Sequence, residues 1–233
     1  MHRLIAFDLD GTLAPIGKGI ETEDIKLLRN IESSGIKIAV CSGKPIYYLC
    51  GMFRQVGLAE PILIGENGAA FQIGIDLPPQ DCFLLPISKE SSAQLLLAKS
   101  EIINHFSKGI WLQPNESVLT VFPKEKALFT QIQGLMDSLA PHIPDLSVYR
   151  HSDSFDIVPS VINKYNGLRF LSEFLHITAN EIIAVGDGEN DIPMFEFAGI
   201  SIKIGDNIKY ETTYSFSNIT DAIKIIISDF ISR

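Results

Sequence analysis

Short apolar runs recur along this 233-residue chain, and each ends abruptly in small, polar or acidic residues. Leu4-Ile5-Ala6-Phe7 runs into Asp8-Leu9-Asp10-Gly11-Thr12. The run 36–40 ends in Cys41-Ser42-Gly43-Lys44-Pro45. Residues 61–64 lead to Gly65-Glu66-Asn67-Gly68-Ala69, and 182–185 lead to Gly186-Asp187-Gly188-Glu189-Asn190-Asp191. A fifth strand is expected over 200–204. The first four runs, interrupted only by Lys37, lack a period of two and suit parallel strands covered on both faces. Helical stretches separate them: one opened by Thr22 as N-cap and running to 33, one over 45–56, one over 164–175, a short one over 192–198, and one over 221–231 capped by Thr220. Alternating strands and helices predict an α/β fold with a doubly wound, Rossmann-like parallel sheet and right-handed crossovers.

The rhythm changes in the middle. Residues 70–75 read as a hairpin strand and 76–81 as a connector. A strand over 82–87 follows, then a helix over 89–105 capped by Ser88. Two strands flank Pro114-Asn115-Glu116, a helix covers 124–139, and two short strands lie around Ser152-Asp153. This reads as a small α+β unit at 80–158, inserted into a core made of 1–79 and 159–233.

Hydrophobic residues make up 46% of the chain and charged ones 20%, enough for a sizeable core and too apolar for a disordered chain. The net charge is −9, with no basic cluster, which argues against nucleic acid as the partner. Cys41, Cys50 and Cys82 form no C-x-x-C pattern, and a reducing, cytoplasmic setting fits them. The apolar run after Arg3 is too short for a signal-peptide core, and no stretch reaches the roughly 18 apolar residues of a membrane span. Neither a monomer nor a homodimer is favoured.

Chemistry gathers at the strand ends, where open α/β sheets bind ligands. Asp8 and Asp10 stand two apart, and strand alternation would put both on one side, with a hard cation such as Mg²⁺ to offset their repulsion. Asp-Gly alone is an ordinary turn dipeptide. The acidic run after the fourth strand changes its meaning. Asp8 would be a carboxylate nucleophile that forms an aspartyl-phosphate. Asp10 would be general acid and then base. Ser42 and Lys164 would hold phosphate oxygens. Mg²⁺ would be gripped by Asp8, the Asp10 carbonyl and Asp187, with Asp191 bound directly or one shell out.

These residues carry a family resemblance. Asp8-Leu9-Asp10-Gly11-Thr12, Ser42-Gly43, Lys164 and Gly186–Asp191 resemble, in order, the four motifs of the haloacid dehalogenase superfamily. An insertion between the second and third motifs resembles its C2 cap class in the smaller, subclass IIB form. Glu66-Asn67-Gly68 resembles a segment common in that group. The resemblance implies a Mg²⁺-dependent phosphatase for a small phosphomonoester of phosphoglycolate or sugar-phosphate type, with a cap that selects substrate. Gly43 and Asn190 join Ser42 and Lys164 as phosphate-binding positions. Tyr165 after the lysine, and Ser42-Gly43-Lys44 in place of Thr-Gly-Arg, depart from many relatives. Lys44, Glu66, Asn67, Arg150 and His151 are candidates for substrate selection, Arg150 as partner of a substrate carboxylate. Asp153 is another cap candidate, Trp111 is expected in the core, and the Asp206-Asn207 loop is similar to a segment that packs near such sites. A phosphomutase of phosphomannomutase type and a non-catalytic phospho-ligand binder are the alternatives.

Overall fold

The computed structural model describes residues 2–76, 78 and 82–231. The chain starts with β1 (Leu4–Asp8), α1 (Thr22–Ser33), β2 (Lys37–Cys41), α2 (Ile46–Val56), β3 (Ile62–Gly65), β4 (Ala70–Ile73) and β5 (Cys82–Leu84). An inserted segment holds α3 (Lys89–Phe106), β6 (Ile110–Leu112), β7 (Leu119–Pro123), α4 (Lys126–Leu139), β8 (Leu146–Arg150) and β9 (Phe155–Pro159). The chain resumes with α5 (Lys164–Leu175), β10 (Ile182–Gly186), α6 (Ile192–Phe197), β11 (Ile200–Ile204), β12 (Tyr214–Phe216) and α7 (Ile219–Ile226). Two compact units result: Met1–Leu84 with Asn163–Arg233, and Leu85–Ile162.

The first unit is an eight-stranded sheet in the order β12-β11-β10-β1-β2-β3-β4-β5. Pairing is parallel from β12 through β3 and antiparallel for β4 and β5. Strand alternation sends Ile5, Phe7, Ile38 and Val40 into one core with Leu28 of α1, Phe53 of α2 and Ile223 of α7. Leu4, Ala6, Ala39 and Ala184 face the other core, with Leu168 and Leu171 of α5 and Met194 of α6. Both faces are therefore apolar, which is why these strands show no polar alternation. β1 sits between β2 and β10, where the order of strands reverses. That reversal opens the ligand crevice of doubly wound sheets.

The second unit is an antiparallel sheet in the order β6-β7-β9-β8. Leu119, Val121, Phe155 and Ile157 alternate onto the face that packs against Ala98 and Ile102 of α3 and Ile132 and Met136 of α4. Ser88 caps α3 by accepting the Ser91 N–H at 2.9 Å.

Several local expectations change. The strand expected over 82–87 in the inserted unit is three residues long and pairs with β4 of the large sheet. Aromatic contact holds it there: Phe83 stacks on Phe71 at 4.8 Å, and Phe174 of α5 lies 5.2 Å from Phe83. The division into units thus falls at 84/85 and 162/163, where 79/80 and 158/159 were expected. Leu77, Pro79, Gln80 and Asp81 of the expected connector lie outside the described residues. A further edge strand, β12, joins β11.

Two caps also move. Glu21, not Thr22, is the N-cap of α1, and Asn218, not Thr220, caps α7 by accepting the Asp221 N–H at 2.9 Å. The Thr220 hydroxyl instead donates to Asp24 Oδ1 at 2.7 Å and ties α7 to α1. Asp24 is buried, and burial raises its pKa, with Glu23 and Glu21 adding to the rise against the Thr220 bond. A raised carboxylate pKa makes the fold bind protons more tightly than the unfolded chain, so this contribution to stability is present below the unfolded pKa and lost as pH rises through the folded one. Asp24→Asn keeps the acceptor and removes the charge. Thermal melts should therefore show the variant level with the parent near about pH 4 and more stable near about pH 7.

Candidate active site

The site begins where β1 ends. Asp8 is its last residue and lies in register with Cys41 at the end of β2, while Phe7 pairs with Val185 near the end of β10. Three strand ends therefore meet at one edge. Lys164, first residue of α5, reaches into this edge, and its ammonium donates to Asp8 Oδ1 and to Asp191 Oδ1 at 2.5 Å each. Asp8, Lys164 and Asp191 are 6%, 1% and 0% exposed. A cation at a helix N-terminus opposes the helix dipole, so the two carboxylates hold Lys164 there. Burial disfavours its ammonium, and Asp191 and Asp8 outweigh that, leaving its pKa above the ordinary lysine value.

Asp191 closes the turn after β10. Its Oδ2 accepts the N–H groups of Asp187 and Gly188 at 2.9 Å each. Asp187 is held on both oxygens, by the Thr12 hydroxyl at 2.7 Å and the Asn207 amide at 3.2 Å. Burial raises its pKa, with the Thr12 bond opposing. Asp8 rises further, to about 8, because burial and the Asp191 charge outweigh Lys164. One carboxylate oxygen from each of Asp8, Asp187 and Asp191 lies within 4.8 Å of the others. Fully ionised, the three carboxylates would exceed the one ammonium by two negative charges, and the donors are all hard oxygen. Charge and chemistry both fit a divalent cation.

Asp10 stands apart from this group. The strand stops at Asp8, and Gly11, with φ of 96°, turns the chain back so that its N–H donates to the Ala14 carbonyl at 2.8 Å. A Cβ on Gly11 would meet Asp187 Oδ2 at 2.5 Å, so glycine is required both by the turn and by the acid behind it. Because the strand has ended, the expected alternation of Asp8 and Asp10 does not apply. Asp10 is about one-third exposed and has its own cation, the Lys44 ammonium at 3.7 Å. Ser42 is buried beside it, and its Oγ accepts the Lys44 N–H at 3.2 Å. Cys41, next to Asp8, is no competing nucleophile, since burial pushes its thiol up to about 12.

The other expected residues divide. Gly43 lies against the Asn67 side chain, and Glu66 is buried, so this segment adjoins the Ser42 turn. Asn190 is exposed, with its amide oxygen folded over Gly188. In the inserted unit, the Arg150 guanidinium lies over the rings of Phe129 and Phe155, at 5.6 and 5.9 Å from their centroids. His151 Nε2 lies 3.3 Å from Asp156, whose other oxygen accepts the Thr120 hydroxyl at 2.7 Å. Asp153 accepts the neighbouring Ser154 hydroxyl. Trp111, expected in the core, is 52% exposed and rests against Phe122, because its neighbours Ile110 and Leu112 take the covered face of β6. Sequence reasoning assigned no site role to Thr12. It gave the 206–207 loop only a place near the site, whereas Asn207 holds Asp187. The Asp-Gly-Thr order was the one available signal for Thr12. Contact across 175 residues decides its role.

Comparison with known proteins agrees with this architecture. A phosphoglycolate phosphatase of Methanothermobacter thermautotrophicus is 23% identical over 215 residues, covering 88% of this chain and 86% of the relative. A haloacid dehalogenase-like hydrolase from Bacteroides thetaiotaomicron superposes with a TM-score of 0.77 at 19% identity, covering 97% of this chain and 100% of that one. The subclass IIB sugar phosphatase BT4131 superposes with a TM-score of 0.70 at 19% identity, over 96% and 97% of the two chains. No helix among the described residues is long and apolar enough to cross a membrane. Residues 5–96 and 88–221 match the haloacid dehalogenase-like hydrolase model, and on that match, which takes in the strand ends and the inserted unit alike, this chain belongs to the haloacid dehalogenase-like hydrolase family.

Proposed function

We propose that this enzyme is a Mg²⁺-dependent phosphatase that hydrolyses a small phosphomonoester, of phosphoglycolate or sugar-phosphate type, through an aspartyl-phosphate. The observation that carries the reading is the buried Asp8 at the end of β1, held on one oxygen by Lys164. Its other oxygen attacks phosphorus, the P–O bond to the leaving group breaks, and an acyl phosphate forms on Asp8. Asp10, outside the buried cluster and beside Lys44, protonates the departing oxygen. Asp10 then takes a proton from water as that water attacks phosphorus, which frees phosphate and restores Asp8. The Ser42 hydroxyl and the Lys164 ammonium offset charge on the phosphoryl oxygens. Gly43 supplies backbone room beside Ser42, and Asn190, at the mouth of the β10 turn, is a further phosphate donor.

Asp8, the Asp10 carbonyl and Asp187 would hold Mg²⁺, with Asp191 fixing the turn that presents Asp187. The ion would supply the positive charge that lets an anionic carboxylate meet an anionic phosphate. The inserted unit selects the leaving group in this reading. Arg150, spent on two aromatic rings, makes a poor carboxylate clamp, and His151, held by Asp156, is the stronger candidate for a substrate contact. A reducing, cytoplasmic setting suits the three free cysteines.

Phosphate release from phosphoglycolate, hexose phosphates, nucleotides and an aryl phosphate, with Mg²⁺ and with chelator, tests the reading. Release should require Mg²⁺, and Asp8→Asn should lower kcat by about 10³-fold or more. No release from any ester by folded protein with Mg²⁺ would sink the hydrolase reading. Asp10→Asn should keep Mg²⁺ binding and lower kcat by about 10²- to 10⁴-fold, with less loss on the aryl ester, whose leaving oxygen needs little help from an acid. Lys164→Met leaves Asp8 and Asp191 facing each other without their shared cation. Denaturant melts should show a loss of about 3–5 kcal/mol without metal, partly recovered with Mg²⁺.

A further inference from the structure

We propose that Glu66-Asn67-Gly68 is a positioning element that sets Ser42 against Lys164, with Asn67 as its working residue; the proposal rests on the phosphatase reading above. The three residues follow β3 with φ of 53°, 58° and 105°. Left-handed backbone is costly for residues that carry a Cβ, and it persists where the surroundings enforce it. Hairpin turns commonly take consecutive positive φ on Asn, Asp or Gly, so the glutamate is what departs from a plain turn between β3 and β4. Two neighbours pack against this segment.

The first is the turn after β2. The Glu66 N–H donates to the Lys44 carbonyl and the Asn67 N–H donates to the Ser42 carbonyl, both at 3.0 Å. Consecutive left-handed amides thus clasp the two ends of Ser42-Gly43-Lys44. The Asn67 side chain lies over the middle of that turn: a Cβ on Gly43 would sit 3.4 Å from both of its terminal atoms. The second neighbour is the start of α5. A Cβ on Gly167 would come within 2.7 Å of Gly68 Cα, and one on Gly68 would run into the Asn163 carbonyl. Asn163 is the cap that immediately precedes Lys164, and it fixes the first turn by accepting the Asn166 N–H at 2.9 Å.

Three residues therefore bridge the carrier of the Ser42 hydroxyl and the carrier of the Lys164 ammonium. Both groups serve the same phosphoryl oxygens, so their separation is the quantity that has to be held. A wedge made of backbone, with glycine at the α5 contact and a short amide at the Gly43 contact, holds it with little freedom to shift. Asn67 acts through Ser42 and is a positioning residue.

The test compares Asn67→Gly and Gly167→Ala with the parent in Mg²⁺. Asn67→Gly removes the side chain over Gly43 and tolerates the left-handed backbone, so Tm should stay level or rise. Its kcat should still fall by about 10- to 100-fold, and by the same factor on phosphoglycolate, a hexose phosphate and an aryl phosphate, since the phosphoryl group is common to all. Calorimetry with inorganic phosphate should show a raised Kd. Gly167→Ala, favourable for a helix interior but pressed on Gly68, should give the same uniform loss. Unchanged kcat and phosphate Kd in Asn67→Gly overturn the proposal. Losses that differ between esters also overturn it, because they make Asn67 a leaving-group contact. A parent enzyme silent on every ester defeats the phosphatase reading instead, and the phosphate Kd of the variants still decides the positioning role.

Discussion

A buried ammonium shared by two buried carboxylates is the constraint from which the rest of this site follows. Lys164 would be costly to bury alone, and so would Asp8 or Asp191. Together they satisfy one another at 2.5 Å, and with every carboxylate ionised, Asp187 included, the group carries an excess of negative charge. That excess is a disposition toward a divalent cation built into the apoprotein. Burial is the main reason Asp8 lies so far above an ordinary carboxylate, and the Asp191 charge adds to the rise against the ammonium the two acids share.

The acids of the site are separated by environment, although the chain brings them close. Asp8 and Asp10 are two residues apart, yet one ends a strand inside the molecule and the other emerges beyond a glycine turn, with Lys44 as its own partner. The proposed division into a nucleophile and a proton carrier would rest on this separation of a dry carboxylate from a wet one. Asp187 and Asp191 divide in the same way. Asp191 is consumed by structure, holding Lys164 and two backbone amides, whereas Asp187 is oriented by Thr12 and Asn207 toward the shared cluster.

The inserted unit follows simpler physics. One face of its sheet is covered by α3 and α4, and the other carries polar and aromatic side chains. The strand end decides the fate of neighbours: Arg150, last residue of β8, falls over Phe129 and Phe155, while the next residue, His151, leaves the strand and meets Asp156. Adjacent residues with similar prospects in the sequence thus end in different environments, because one is paired within the sheet and the other lies beyond its last pair.

What the sequence by itself determined was the parallel core and its polar edge. Apolar runs ending in acid, hydroxyl or glycine specify covered strands, since local pattern encodes them, and the order of Asp8, Ser42, Lys164, Asp187 and Asp191 carries the family resemblance on which the proposed phosphoryl transfer rests. The helix opened by Lys164 and ending near Leu175 was legible from the sequence. Long-range contact decided the remainder. That Cys82–Leu84 joins the large sheet depends on Phe83 meeting Phe71. Thr220 serves Asp24 rather than its own helix, and Thr12 and Asn207 converge on Asp187 from opposite ends of the chain. The left-handed run at Glu66–Gly68 takes its meaning from the Ser42 turn on one side and α5 on the other. Such roles are properties of pairs far apart in the chain, and no local periodicity carries them.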